Sequence, residues 1–165
     1  LPTPPLGKWA IMGNWEYQAG ISPGEMRTLL APHDIQLLCE EVVDLGPFYL
    51  AGTDDSLKGN PDPQGLLAQT APHPTIVLSH NPNLFTRLCQ PHVHLVLSGH
   101  THGGQVRFPG MGAIWVSTGS EEHLGGWFAK GHTRLFVSRG VGWSVAPVRL
   151  RCPPEIAMLQ LAPMI

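Results

Sequence analysis

The chain has 165 residues, a formal net charge of −2 and 13% charged residues, about half the usual share. That length fits a single domain over residues 1–165 with a sizeable core, and the slight acidity excludes the basic field that nucleic-acid binding needs. No apolar run approaches the ~20 residues of a membrane span, so none is read here. The 19 glycines and 17 prolines call for many loops and turns. Cys39, Cys89 and Cys152 are widely spaced with no Cys-x-x-Cys, which reads as free thiols in a reducing, cytoplasmic compartment.

In chain order, Leu1–Leu6 is Pro-rich and reads as a tail. Trp9–Met12 is a short apolar strand ending at Gly13-Asn14. Over Ser22–Leu30 a helix is expected, with Ser22 as its cap, Pro23 at its first position and Glu25 three residues after the cap. Ile35–Leu38, Glu41–Leu45 and Phe48–Ala51 read as strands, the last running into Gly52-Thr53-Asp54-Asp55. Pro63–Thr70 predicts a short helix, Thr75–Leu78 a buried strand ending at Ser79-His80-Asn81-Pro82, and Asn83–Cys89 another short helix. Leu95–Ser98 is a buried strand stopped by Gly99. Beyond it, Ile114–Ser117, Thr133–Val137, Val145–Leu150 and Glu155–Leu161 read as strands. Helices alternate with strands early and strands dominate late. The fold class is therefore α/β, with two packed mixed sheets and helices on the outer faces.

After Gly99 come His100 and His102. On extended backbone, residues two apart share a side, so both imidazoles would face one spot. Gly103 and Gly104 would keep that spot open to a ligand or another backbone. Nine histidines in this length give about half of one His-x-His pair by chance, so the frame of strand, glycine and paired glycines carries the signal. His92-Val93-His94 lacks that frame and reads as surface. Asn14, His80 and His100 each follow the end of a strand, where sites of α/β sheets collect. An amide oxygen with neutral imidazoles suits Mn²⁺, Fe²⁺ or Zn²⁺ better than Mg²⁺ or Ca²⁺. Taken singly, Asn14 reads as a turn residue and His80 as a loop histidine. Asp54 and Asp55 read as loop structure.

Three segments in this order, Gly13-Asn14-Trp15-Glu16, Leu78-Ser79-His80-Asn81-Pro82 and Ser98-Gly99-His100-Thr101-His102-Gly103-Gly104-Gln105, resemble the calcineurin-like metallophosphoesterase superfamily. With the tail Arg149–Ile156 they are most similar to a branch of small bacterial phosphohydrolases, some membrane-associated, over about Ile11 to Leu161. The resemblance implies a four-layer sandwich and a metal-dependent phosphohydrolase that cleaves a phosphomonoester or phosphodiester. It implies that Asn14, His80 and His100 bind one metal and His102 the other, two metals ~3.5–4 Å apart clamping the phosphoryl group.

Two departures from the family pattern set further expectations. The family opens with Asp-x-His and Gly-Asp strands, whereas Leu1–Met12 holds no Asp, Glu or His. The N-terminal strands are thus expected to be missing, and at most one metal is expected to bind tightly. The expected partner is either that missing N-terminal segment or a second copy of the chain, besides a phosphoester substrate. The family's usual His after Gly-Asn is Trp15, whose indole does no acid–base work near neutral pH. No catalytic residue is therefore assigned. The competing expectation is a non-catalytic binding domain that keeps the fold without the dinuclear site.

Overall fold

The computed structural model describes residues 4–162. Its centre is a six-stranded sheet in the order β3 (Glu41–Asp44), β4 (Tyr49–Gly52), β5 (Thr75–Leu78), β6 (Val93–Ser98), β10 (Thr133–Val137), β9 (Gly126–Lys130). The four inner strands run parallel, and β3 and β9 pair antiparallel at the two edges. The inner strands read as near-continuous apolar runs because both faces are covered. On one face Ala51, Val77, Val96, Leu135 and Val137 meet Leu66 and Leu67 of helix α3 (Pro63–Ala68) and Phe85 and Leu88 of α4 (Phe85–Leu88). The alternate residues Leu50, Ile76 and Leu95 point to the other face.

That second face carries a small parallel sheet of β1 (Trp9–Ile11) and β2 (Gln36–Leu38), packed through Ile11 and Leu38. Gly52 makes the approach possible, because a Cβ there would run into Leu38 and lie 3.0 Å from the side chain of Ile11. Helix α2 (Pro23–Leu30) lies against β2. The layers are thus helix, large sheet, small sheet, helix, consistent with the expected metallophosphoesterase-like sandwich. Ser22 caps α2 by accepting from the Glu25 N–H, and Glu25 returns a bond to the Ser22 N–H at 2.8 Å. Among the described residues no helix is long and apolar enough to cross a membrane, and the three cysteines are free.

The sequence expectations need correction in several places. Residues 1–3 of the expected tail lie outside the described residues, and Gly7 closes a turn onto Pro4. A short helix not foreseen, α1 (Asn14–Gln18), follows β1 directly, with the Glu16 carboxylate taking the Gly13 N–H at 3.0 Å. No strand spans Ile114–Ser117. Only a two-residue hairpin of β7 (Arg107–Phe108) and β8 (Gly112–Ala113) precedes it, and Ile114 and Trp115 stand exposed without a partner strand. Val145–Leu150 is irregular apart from a bridge from Leu150 to Val106, because Pro147 offers no N–H and Val145 sits at φ 65°. Glu155–Leu161 is also irregular, with Ile156 and Met158 almost fully exposed. Conversely β9, an edge strand of exposed and half-buried residues, was not anticipated.

Candidate functional site

Asn14, His80 and His100 come together where strands from both sheets end. β5 and β6 are parallel neighbours, with Leu78 opposite Leu97, so their carboxyl ends lie side by side. The Gly99 N–H donates to the His80 carbonyl at 3.0 Å, which fixes the two turns against each other. β1 approaches from the smaller sheet and presents Asn14 at the start of α1. Gly13 leaves room for the imidazole, since a Cβ there would stand 2.8 Å from His80 Cε1.

The three side chains meet through their donor atoms. Asn14 Oδ1 lies 3.0 Å from both His80 Nε2 and His100 Nδ1, and the two ring nitrogens are 3.1 Å apart. The imidazoles cross edge-on, with ring centres 5.0 Å apart. His100 Nε2 faces the Thr118 carbonyl at 3.1 Å, and a carbonyl only accepts, so Nε2 carries the proton of the neutral ring. His100 Nδ1 is then a lone pair facing the Asn14 oxygen. His80 Nε2 can donate to one of these acceptors and not relieve both.

Electrostatics keep both rings neutral. Burial, reinforced by the neighbouring His100, pushes His80 down to about 4 from its ordinary 6.5. Burial also lowers His100, opposed by the Thr118 carbonyl and the Asp55 charge. Asp55 is fully buried, and its charge acts on both imidazoles. Its Oδ2 takes the N–H groups of Leu57 and Lys58 at 2.9 and 2.8 Å, while Oδ1 has no partner. Asp54 organises its loop as expected, accepting from Tyr17 Oη, Asp55 N and Asn60 N.

His102 does not join the trio. His100 sits at φ 65° and His102 at φ 50°, so the backbone is not extended and the same-side rule for a two-residue spacing does not apply, although the His102 charge still acts on His80 and His100. The His102 carbonyl accepts from Cys152 Sγ at 3.2 Å and from Arg149 Nη1 at 3.3 Å. Burial lowers its imidazole too, and Nδ1 is buried without a hydrogen-bond partner. Gly103 and Gly104 serve the chain rather than an open site: a Cβ on Gly103 would meet Arg139 and Cys152, and one on Gly104 would meet Ala113. The left-handed run closes at Gln105, φ 44°, whose side chain bonds Ser144 N, Ser144 O and Ala146 O at 2.7, 3.0 and 2.9 Å. Such strain persists only where the surroundings over-determine it, and Gln105 supplies that restraint. The sequence reading missed this role, as well as those of Asp55 and the Thr118 carbonyl. Only the adjacency of Gln105 to the glycine pair hinted at any of them.

Among the described residues no group of three or more His, Cys, Asp or Glu is placed to hold a metal, and the trio is completed by an amide. No family model matches the chain, and no solved structure matches it. Curated relatives do. An uncharacterized metallophosphoesterase of Bacillus subtilis, YkuE, is 30% identical over 163 residues, 95% of this chain and 57% of the relative. A second, of Helicobacter pylori, is 35% identical over 165 residues, 95% of this chain and 43% of the relative. The chain belongs to the calcineurin-like metallophosphoesterase superfamily. A phosphodiesterase of Escherichia coli, YaeI, is 38% identical over 114 residues, 69% of this chain and 41% of the relative. The chain spans about half the length of the curated relatives it matches. Metallophosphoesterases use divalent metals and hydrolyse phosphoesters generally, and the Asn14, His80 and His100 arrangement is the part of this chain whose chemistry fits that use.

Proposed function

We propose that this chain carries one metal position of a phosphohydrolase that cleaves a phosphomonoester or phosphodiester bond. One observation carries the reading: an amide oxygen and two imidazole nitrogens stand 3.0–3.1 Å from one another with too few protons to share. Donors ~2.1 Å from a metal and at right angles lie about 3.0 Å apart, so these separations suit a divalent ion of Mn²⁺, Fe²⁺ or Zn²⁺ type. Bound there, the metal would supply Lewis acidity toward a phosphoryl oxygen and acidify a water. Asn14, His80 and His100 would hold it, Asp55 would compensate its charge from beneath, and the Thr118 carbonyl would keep His100 in the tautomer that leaves Nδ1 free. His102, apart from the trio with an unpaired Nδ1, would serve a second metal whose remaining ligands are not among the described residues.

The small sheet favours a companion segment. β1 pairs only with β2 among the described residues. A groove of about 390 Å³ runs between Trp9–Ile11 and Leu97, Phe136 and Leu159. A free edge beside an apolar groove recruits a strand, which we assign to a preceding segment of a longer parent protein. Pairing with a second copy is the other outcome, and light scattering of the chain distinguishes a dimer from a monomer.

The test is metal stoichiometry with activity. One Mn²⁺ per chain is expected by elemental analysis, lost in His100→Ala. Hydrolysis of an aryl phosphodiester should be very poor for this chain and robust for a longer parent, and His100→Ala should abolish the latter. Two metals per chain, or robust turnover by the 165 residues alone, would refute this division of the site. Mn²⁺ binding without hydrolysis by an intact parent would favour the binding-domain reading, which Trp15 at the family's acid position also supports.

A further inference from the structure

A pocket of about 150 Å³ opens directly beside the trio, lined by Asn14 and His100 together with the apolar side chains Trp15, Leu57, Trp115 and Val145. Its remaining lining residues are serines and a threonine, and no lysine, arginine or carboxylate lines it. Trp15 and Trp115 are 49% and 50% exposed and Val145 is 81% exposed, so the apolar surface faces solvent rather than the core. The Gln105 side chain bonds residues 144 and 146, and Val106 bridges Leu150, which places the Val145 segment against the segment that leads to Trp115. Exposed Trp143, Val141 and Ile114 on these two segments add to the same apolar character. Aromatic surface left in water next to a site for charged chemistry is an unusual use of residues that normally supply core or contact area.

Resting on the phosphoester reading above, we propose that this pocket binds the ester group of the substrate, and that the substrate class is a phosphoester of an uncharged aromatic alcohol. A volume near 150 Å³ matches a cavity that accepts a single benzene ring. Indole faces favour stacked or edge-on contact with such a ring. A nucleoside diphosphate or sugar phosphate would find no cation for a second phosphate and little polar lining for its hydroxyl groups.

The leaving-group chemistry agrees. In hydrolysis the water oxygen forms the new P–O bond, the P–O bond to the aryl group breaks, and the aryl oxide departs with the electron pair. Trp15 is the second residue of α1, and its indole cannot donate a proton to that oxygen. His100, the lone imidazole in the pocket wall, has its single proton committed to the Thr118 carbonyl. A phenolic oxide, with a pKa of ~10, leaves without protonation and takes its proton from solvent. An alkoxide, nearer to hydroxide and its ~15.7, needs the acid that is lacking.

Binding decides this without turnover. Calorimetric titration of the Mn²⁺-loaded chain with phenyl phosphate, glucose 6-phosphate and inorganic phosphate should rank phenyl phosphate about tenfold above the other two. Trp115→Ala, at a half-exposed position that does not threaten the fold, should erase that preference. Trp115→Phe should restore most of it. Equal affinity for all three anions, or a preference that survives Trp115→Ala, overturns the aromatic assignment while leaving the phosphoester reading standing. Failure of all three to bind overturns both.

Discussion

Replacing Gln105 with Ala should damage the site through a residue that touches none of the three trio side chains. The Gln105 side chain is 6% exposed, and its three hydrogen bonds, of 2.7, 2.9 and 3.0 Å, all go to the backbone of Ser144 and Ala146. Each bond contributes about 1 kcal/mol net, and a buried donor left unpaired costs about 1–3 kcal/mol. The Ser144 N–H would be such a donor, relieved in part by water entering the vacated space. A loss of about 2–4 kcal/mol follows, a large share of a stability of ~5–15 kcal/mol. With a slope of roughly 2–3 kcal/mol/M for a chain of this size, the urea midpoint should fall by about 1 M. The positive-φ run His102–Gln105 that follows His100 would lose its outer clamp, so Mn²⁺ affinity should drop in parallel. Gln105→Glu should be worse than Ala, because a carboxylate would face two carbonyl oxygens. A midpoint shift under about 0.3 M, with unchanged Mn²⁺ affinity, would show that the turn holds itself and refute the assignment of Gln105 as its restraint.

Gly13→Ala should weaken Mn²⁺ binding roughly tenfold, since its Cβ would stand 2.8 Å from His80 Cε1 and 2.9 Å from Glu16 Oε2, forcing the ring to move. Wild-type affinity in that variant would mean that His80 is not a ligand or that the ring shifts freely. Acid titration of the metal-free chain tests the burial of His80. Its folded value of about 4 lies below the ordinary 6.5, so the unfolded chain binds more protons between those values. The contribution is complete above pH 6.5 and disappears as pH falls to about 4, at most about 3 kcal/mol. Denaturant midpoints that stay flat from pH 7 to pH 4 would contradict it.

Much of the site was legible as residue type and place. Asn14, His80 and His100 each follow an apolar strand in the sequence, and the parallel alignment of β5 and β6 brings the two histidines together without further information. The Ser22 cap, the buried strands and the free thiols were likewise readable, because capping chemistry and continuous apolar runs are local properties. Apolar content misled where burial was absent. Ile114–Ser117, Val145–Leu150 and Glu155–Leu161 have strand-like composition, yet most of their large apolar side chains stand exposed and their backbone makes only isolated bonds, such as the Leu150 bridge to Val106, and no ladder. A strand exists only if another strand meets it, and that is a property of the whole chain.

The sequence by itself determined which atoms are available at the strand ends: one amide oxygen and the imidazoles of His80 and His100. It also determined the apolar strands that carry them, since short apolar runs between turn residues have few other stable uses, whereas their parallel pairing came from the structure. Only the tertiary structure decided how those atoms sort. The positive-φ turn after Gly99 sends His100 toward Asn14 and His80 and leaves the His102 imidazole without a hydrogen bond to them, while the His102 carbonyl takes Arg149 and Cys152. The clamp that holds this turn, Gln105 on Ser144 and Ala146, joins residues about forty positions apart. Contacts across such separations depend on the packing of every element between them, and no local pattern encodes that.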